Sequence, residues 1–287
     1  MAVSNSLTKK KGNTGIATYL TQEAVKNQIN NVIGGKNGQR FISAVVSAVN
    51  NNPALQECTN QSILSGALLG ESLQLSPSPQ LGQYYLVPFN DRNKGKVAQF
   101  QLGYKGYIQL AIRSGQYKKL NVLAIKEGEL VKFDPLNEEI EVRLIEDEEE
   151  REKAATTGYY AMFEYVNGFR KAIYWSKAKM EAHALKYSKG YQAKKGYTFW
   201  EKDFDGMAYK TMLRQLISKW GIMSIDMISA IDADMAVINE DGTKRYIDNE
   251  PEYTISEPEQ TQVVESTIEK EKQPETANND VAGALFG

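Results

Sequence analysis

The chain has 287 residues, 41% of them hydrophobic, which is enough for one large domain or two small ones around a sizeable core. Its formal net charge of -2 conceals a segregation, since residues 241–287 hold 11 acidic and 4 basic side chains and residues 138–153 hold 9 and 3. The rest is basic, with 27 cations against 16 anions, and a basic body with an acidic tail is typical of a protein that binds a polyanion. One cysteine, Cys58, excludes an internal disulfide, and no apolar run has the length of a membrane span or the pattern of a signal peptide. We therefore expect a soluble intracellular protein.

The first part of the chain is predicted to be helical. Apolar residues recur at helical spacing in three segments, residues 21–33, 40–50 and 59–73. Thr59 or Asn60 is the predicted N-cap of the third helix. In the second helix Phe41, Val45 and Val49 form a stripe, which either packs onto the core of the same chain or contacts a neighbouring subunit.

The middle of the chain is predicted to be mostly strands joined by short turns. The predicted strands are residues 84–89, 97–102, 119–126, 130–133, 140–145, 158–166 and 169–175. Residues 90–96 form a polar basic turn between the first two strands, and Asn167-Gly168 is a strong hairpin signal. The acidic run 146–152 is expected to be a solvated tip between two strands.

Helices return after the strands. Ser176 is a predicted N-cap for a helix to residue 187, Asp203 opens a long helix to residue 220, and residues 222–238 are predicted as one more apolar helix. The two ends, residues 1–18 and the acidic tail from Glu240, are expected to lack fixed structure. This order predicts an α+β fold: a twisted antiparallel sheet with a β-hairpin, packed by helices, plus N-terminal helices and a disordered acidic C-terminal tail. The expected regions are residues 1–58, 59–239 and 240–287.

The segment 101–115 has the clearest functional pattern. It changes from an alternating strand to helical spacing at Gly103 and stops at Gly115. On the predicted helix one stripe carries two cations and an amide and is flanked by two aromatic rings: Lys105, Gln109, Arg113, Tyr104 and Tyr107. Such a stripe can hold a phosphate chain while bases stack, or it can be an ordinary solvated face beside two half-buried tyrosines.

Two further segments carry cations. In the helix 203–220, Lys210 and Arg214 are predicted to face away from the apolar arc, which also fits a core helix with a charged outer edge. The loop 186–200 interleaves lysines with aromatic residues and contains two glycines, a composition that favours binding of a nucleic acid by a flexible loop. Its candidate residues are Lys189, Lys194, Lys195, Tyr191 and Trp200.

Three blocks in order resemble the RecT family of phage and prophage single-strand annealing proteins, which is related to the Red-beta annealing proteins. The first block runs from Gly66-Ala67 to Pro77 and continues with Tyr84 and Leu86-Val87-Pro88-Phe89. The second block is Leu102-Gly103-Tyr104-Lys105-Gly106-Tyr107, followed by Arg113-Ser114-Gly115. The third block contains Trp200, Asp203-Phe204, Met207-Ala208, Lys210-Thr211 and Arg214. Together they cover residues 60–220, and three blocks in the right order are far more specific than one.

The resemblance implies an ATP-independent protein that oligomerises on single-stranded DNA, as a ring or a helical filament, and pairs it with a complementary strand. It implies contacts to single-stranded DNA and to the annealed duplex, and no hydrolytic activity. The tail is expected to contact a phage exonuclease and the single-strand-binding protein of a bacterial host, in whose cytoplasm the protein would act. The cations of the three segments and Gln109 are assigned to the DNA backbone. Four aromatic residues are candidates for stacking on bases, although each could equally be a core residue: Tyr104, Tyr107, Tyr191 and Trp200. Three cations of the turn, Arg92, Lys94 and Lys96, are expected to contact DNA or a neighbouring subunit.

The sequence lacks the motifs of several enzyme classes. Neither Gly-Lys pair is set in a P-loop, and the single histidine, His183, and single cysteine cannot build a zinc site. We expect no cofactor and no metal. Two other classes stay open: a metal-dependent nuclease using carboxylates alone, and a single-strand binder or scaffold that does not anneal.

Overall fold

A computed structural model describes residues 15–91, 94–196 and 198–246, with the side chains of residues 35 and 36 left out. The N-terminal helices are α1 (Ile16–Leu20), α2 (Glu23–Ile33), α3 (Gly35–Asn51) and α4 (Asn60–Ser72), with a 3₁₀ turn at Pro53–Glu57. These bounds confirm the three predicted helices and add α1 at the end of the region expected to be loose. The reason is burial: Ile16 and Leu20 lie one turn apart and both enter the core.

The stripe on α3 packs inward. Phe41, Val45 and Val49 are buried in a cluster that also contains Cys58 of the following turn. Of the two interpretations of this stripe, the structure supports packing onto the core of the same chain. The stripe is therefore not a surface offered to a neighbouring subunit.

The first sheet contains the predicted hairpin. Its strands are β1 (Tyr84–Asp91), β2 (Gly95–Leu102), β8 (Ala236–Ile238) and β9 (Lys244–Tyr246), antiparallel in the order β1-β2-β8-β9. Tyr84 pairs with Leu102 at one end of the hairpin and Asp91 with Gly95 at the other. The alternate residues of β1 that face the helices, Tyr84 and Leu86, are buried, as the period of a strand requires.

The second sheet follows helix α5 (Tyr104–Arg113). It contains β3 (Tyr117–Lys126), β6 (Thr156–Tyr165) and β7 (Arg170–Ser176) in the order β3-β6-β7, and a separate hairpin is formed by β4 (Leu130–Asp134) and β5 (Glu139–Val142). The predicted turn at Asn167-Gly168 is confirmed, with Gly168 at φ +88°. The fold is α+β, as predicted.

The acidic run contains a short helix, α6 (Glu148–Lys153), which is anchored to the rest of the chain. Arg151 donates from Nε to the buried Glu129 carboxylate at 2.6 Å and from its terminal nitrogen to the carbonyl of Ala124 at 2.9 Å. The acidic side chains 146–150 are exposed, as expected of a solvated tip. The backbone of this run is nevertheless held in one place, because Arg151, which follows these acidic side chains, is bound to the buried Glu129.

The remaining helices are α7 (Lys177–Tyr187), α8 (Lys189–Gln192), α9 (Phe199–Lys202), α10 (Phe204–Trp220) and α11 (Ile225–Ala233). Ser176 and Asp203 are the N-caps, as predicted, and accept from the backbone N–H groups of Lys179 and Gly206. Helix α10 is shared by two hydrophobic clusters. Its Leu213 and Ile217 join the cluster of the N-terminal helices and first sheet, whereas Ala208, Met212 and Leu216 join the cluster under the second sheet. This helix therefore fixes the two sheets to each other.

One prediction near the C-terminus was wrong. Residues 222–238 do not form a single helix, because the chain turns at Met235, whose φ is +66°, and continues as β8. The apolar residues 236–238 are buried as a strand, and a short apolar run does not distinguish a buried strand from a helix. Strand β9 lies beyond residue 239, where the tail was expected to begin. The prediction of a disordered tail concerns mainly residues 247–287, which lie outside the described residues.

Candidate nucleic-acid interface

Helix α5 is positioned by its glycines. A Cβ on Gly103 would lie 2.1 Å from the carbonyl oxygen of Gly82, and one on Gly106 would lie 2.2 Å from that of Gln83. Only glycine permits this approach, so the first turn of α5 lies directly on the loop that leads into β1. The predicted stop is confirmed as well, since Gly115 has φ +67°.

The predicted polar stripe of α5 is on the surface. Lys105 and Gln109 are exposed, and the Lys105 ammonium lies 5.9 Å from the centroid of the Tyr104 ring. Arg113 is exposed too, but its guanidinium donates to the carbonyl of Leu73 at 2.6 Å and to Oε1 of Gln74 at 3.2 Å. It therefore also binds the C-terminal end of α4, where unpaired carbonyls attract a cation.

Aromatic rings lie beside this stripe, although they are not all the predicted ones. Tyr104 is half-buried, with its ring edge-to-face with Tyr209 at 5.7 Å. Tyr107 is fully buried, so the prediction that it is placed to stack on bases was wrong. Sequence reasoning missed Tyr85 and Phe199, whose rings are 5.3 Å apart. Alternation in β1 was the available signal, because a buried Tyr84 turns its neighbour to the opposite face.

The pKa of the Tyr85 hydroxyl links β1 to the long helix. Burial raises this pKa, and the negative charge of Asp203 raises it further, as does the nearby Tyr104. Asp203 is the N-cap of α10. The start of β1 and the start of α5 therefore meet the start of α10, which is far from both in the sequence.

The lysine-rich loop divides its side chains between surface and core. Lys189, Lys194 and Lys195 are exposed, as predicted. Trp200 is 6% exposed, so its ring is not open to a base. Tyr191 is half-buried, with its ring 6.2 Å from that of Trp200, and its contact to a base stays a prediction. The loop also contains more structure than predicted.

The extra structure consists of the short helices α8 and α9. Thr198 and Glu201 form a capping box at the start of α9, and Glu201 also accepts from the N–H of Gly196 at 2.8 Å. The buried aromatic residues anchor these turns from inside. A loop that is rich in both lysine and aromatic residues was predicted to be flexible, but Trp200 lies in the second hydrophobic cluster and Tyr191 packs against that cluster.

Lys210 and Arg214 do not face away from the core, and that prediction was wrong. The Lys210 ammonium is buried and lies 2.8 Å from Oδ1 of Asp234, while Arg214 donates to Oδ2 at 2.9 Å. The N–H of Leu102 also donates to Oδ1, at 2.8 Å. A helical wheel places a residue relative to its own helix only, so it did not show a carboxylate supplied by the segment between α11 and β8.

The cations of the β1–β2 turn are bound within the chain. Lys94 donates from Nζ to Asn239 at 3.1 Å, and Lys96 forms an ion pair with Glu57. Arg92 lies outside the described residues. The two described lysines thus tie the hairpin tip to β8 and to the 3₁₀ turn, and their expected contacts to DNA or to another subunit stay predictions.

The single histidine, His183, is a half-buried residue of α7. Burial first, and then the positive charges of Arg214 and Lys186, lower the pKa of His183 to about 4. Its ring lies 5.5 Å from that of Trp175 and 4.6 Å from that of Tyr187. His183 is thus a neutral aromatic neighbour at physiological pH.

Among the described residues, no three His, Cys, Asp or Glu side chains converge in a way that would hold a metal ion. In the same part of the chain, every helix is too short or too polar to cross a membrane.

An exposed cationic stripe beside partly open aromatic rings, on an α+β scaffold with further lysines nearby, defines a nucleic-acid-binding class of surface. The comparisons identify the family. Residues 39–255 match the model of the RecT family, and the chain belongs to that family. Membership implies DNA binding and single-strand annealing in DNA recombination.

Two relatives span nearly the same length. An uncharacterised protein of Bacillus subtilis, YqaK, is 41% identical over 263 residues, covering 89% of this chain and 85% of the relative. The protein RecT of Escherichia coli is 29% identical over 226 residues, covering 77% of this chain and 81% of the relative. The match to the family is therefore not confined to one motif.

Proposed function

We propose that this chain anneals single-stranded DNA without ATP, as an oligomer that coats one strand and pairs it with its complement. The observation that carries this proposal is the exposed Lys105–Gln109 stripe of α5 beside the rings of Tyr104, Tyr85 and Phe199. Cations that hold phosphates reduce the repulsion between two strands, and complementarity is then judged by the strands themselves. No nucleotide hydrolysis is needed for that task.

The phosphate contacts of the proposal come from exposed cations. Lys105 and Arg113 supply them from α5, and Lys189, Lys194 and Lys195 supply them from the loop after α7. Tyr104, Tyr85 and Phe199 stack on bases. Lys210 and Arg214 act indirectly, by supporting the surface that binds DNA. Their charges are bound to Asp234, and this contact holds the end of β2 against α10.

Annealing of long strands favours many subunits side by side. A single subunit offers one short stripe and one loop, and a module of this kind covers roughly 4–16 nucleotides. Adjacent subunits would extend the cationic track, in a ring or a helical filament. We further propose that the acidic tail contacts an exonuclease and a host single-strand-binding protein, on the strength of its charge and of the apolar residues at its end.

Annealing of two complementary oligonucleotides, one of them fluorescent, tests the proposal in buffer with EDTA and without nucleotide. We expect the protein to accelerate duplex formation and, in mass photometry, to assemble further when the second strand is added. Binding without faster pairing would indicate a scaffold that does not anneal. Loss of full-length strand on addition of Mg²⁺ would indicate a nuclease.

A further inference from the structure

A cavity of about 170 Å³ lies between α5, β3 and α10, next to the proposed DNA-binding stripe. Its α5 wall is formed by Tyr104 and Ile108, and α10 contributes Tyr209 and Leu213. Leu213 is buried and the other three are half-buried, so the cavity closes at α10 and widens toward the surface. It also lies between the two hydrophobic clusters, to which Leu213 and Tyr209 respectively belong.

The β3 wall of the cavity is apolar. It is formed by the half-buried side chains of Leu120 and Val122. Successive side chains of a strand point to opposite faces, so the exposed Asn121 between them turns its side chain to the other face of the sheet. The cavity thus combines an apolar interior with aromatic walls, the usual lining of a site for a flat ring.

The size of the cavity limits its occupant. A cavity of about 150 Å³ in another protein holds one benzene molecule, so the space here matches a single six-membered ring better than a fused purine. Tyr104 and Tyr209 meet at an interplanar angle of 72°, which leaves a flat ring able to lie on the face of one and against the edge of the other. The Lys105 ammonium is adjacent, 5.9 Å from the centroid of the Tyr104 ring, where it can pair with a phosphate.

We propose that this cavity holds one unstacked pyrimidine base of the bound single strand, with the adjacent phosphate on Lys105. This inference rests on the proposed function, since the base reaches the cavity as part of a DNA strand. The base leaves the cavity when the complementary strand arrives, because its pairing edge is then required. The cavity therefore gives the single-strand complex a preference for pyrimidine-rich DNA that the duplex complex lacks.

The test compares oligothymidylate and oligoadenylate of equal length, with affinity measured by fluorescence anisotropy at one fixed salt concentration. Ile108→Trp fills the cavity, and Ile108→Phe, a smaller change at the same half-buried position, narrows it. Ile228→Trp, at a half-exposed position on α11, is the matched control. Because adenylate strands stack on themselves, the informative quantity is the change in the ratio of the two affinities.

We expect Ile108→Trp to weaken oligothymidylate binding at least about fivefold, the equivalent of roughly 1 kcal/mol for one stacked base, and to leave oligoadenylate nearly unchanged. Ile108→Phe should shift the ratio in the same direction, and Ile228→Trp should not. An unchanged ratio in a folded Ile108→Trp protein overturns the proposal. If that variant does not fold, an unchanged ratio in Ile108→Phe overturns it. Failure of the proposed function is distinct, since the wild type would then not accelerate pairing.

Discussion

The buried ammonium of Lys210 lies 2.8 Å from the carboxylate of Asp234, on the same oxygen that accepts the backbone N–H of Leu102. Arg214 holds the other oxygen. One carboxylate therefore joins α10 to the end of β2, immediately before α5 begins. The position of the proposed DNA-binding stripe depends on this contact as well as on the glycines of α5.

Replacing Asp234 by asparagine is expected to reduce the free energy of unfolding by about 3–5 kcal/mol, because a buried ammonium then loses its counter-charge. Urea denaturation measures this change. Asp226→Asn, on the exposed side of α11, is the matched control and should stay within about 0.5 kcal/mol of the wild type. A small effect at Asp234 would mean that Lys210 and Arg214 find other partners at little cost.

The low pKa of His183 makes stability depend on pH. In the unfolded chain the imidazole titrates near 6.5, and in the fold near 4. Below pH 6.5 the unfolded state therefore binds a proton that the folded state does not, so stability falls as the pH is lowered from 6.5 toward 4. We expect the Tm to fall over that interval.

The matching variant is His183→Gln, which removes the only histidine of the chain. Its Tm should change less between pH 6.5 and pH 5 than that of the wild type. Parallel curves for the two proteins would show that carboxylates, and not His183, are responsible.

The cationic stripe can be tested by salt dependence. Lys105→Ala should weaken binding of all single strands alike and reduce the log–log salt slope by about 0.7, the value for one phosphate contact on single-stranded DNA. Lys132→Ala, which removes an exposed lysine of β4, is the control with an expected unchanged slope. Equal slopes in the wild type and the Lys105→Ala protein would show that Lys105 is merely solvated.

Stacking of a base on an aromatic ring predicts a loss of affinity without the change in salt slope that is expected for a lost phosphate contact. Phe199 is 36% exposed and lies against Tyr85, so Phe199→Ala should lower the affinity for single strands with little change in salt slope. The expected loss is about 1–3 kcal/mol if the ring stacks on a base. Tyr187, 38% exposed on α7, provides a comparable aromatic control in Tyr187→Ala. If both variants lose the same affinity, the effect is not specific to the Tyr85–Phe199 pair.

Two truncations test where the folded part ends. A chain ending at Glu240 lacks β9 and the ion pair between Arg245 and Asp91, and its Tm should fall. A chain ending at Pro251 retains both and should unfold at the temperature of the full chain. Its DNA binding should be as tight or tighter, because the acidic tail no longer competes with a polyanion. A large loss of Tm in the longer truncation product would place residues after 251 in the core.

Local signals predicted most elements well. The bounds of α5, the caps at Ser176 and Asp203, and the hairpin at Asn167-Gly168 agree with the structure, because each depends on residues that are neighbours in the chain. The α+β class followed from the order of those elements.

Three of the differences share a physical cause. Lys210 was predicted to face away from the core, and Tyr107 and Trp200 were candidates for stacking that could equally be core residues. All three are buried, because tertiary contacts that a single segment does not show cover their side chains. Asp234 captures Lys210, while the second hydrophobic cluster encloses Trp200. The cavity beside α5 was equally invisible, since its walls come from three separate elements.

The solitary cysteine gives the chain a practical property. Cys58 is buried beside the α3 stripe, and burial raises the pKa of its thiol to about 11, so at neutral pH it is a protonated, shielded and unreactive group. A new cysteine placed on the exposed face of α5 or α11 would therefore be the sole target of a maleimide dye. The native cysteine therefore need not be removed before dyes are attached. Energy transfer between dyes on two subunits then measures their separation as two strands pair.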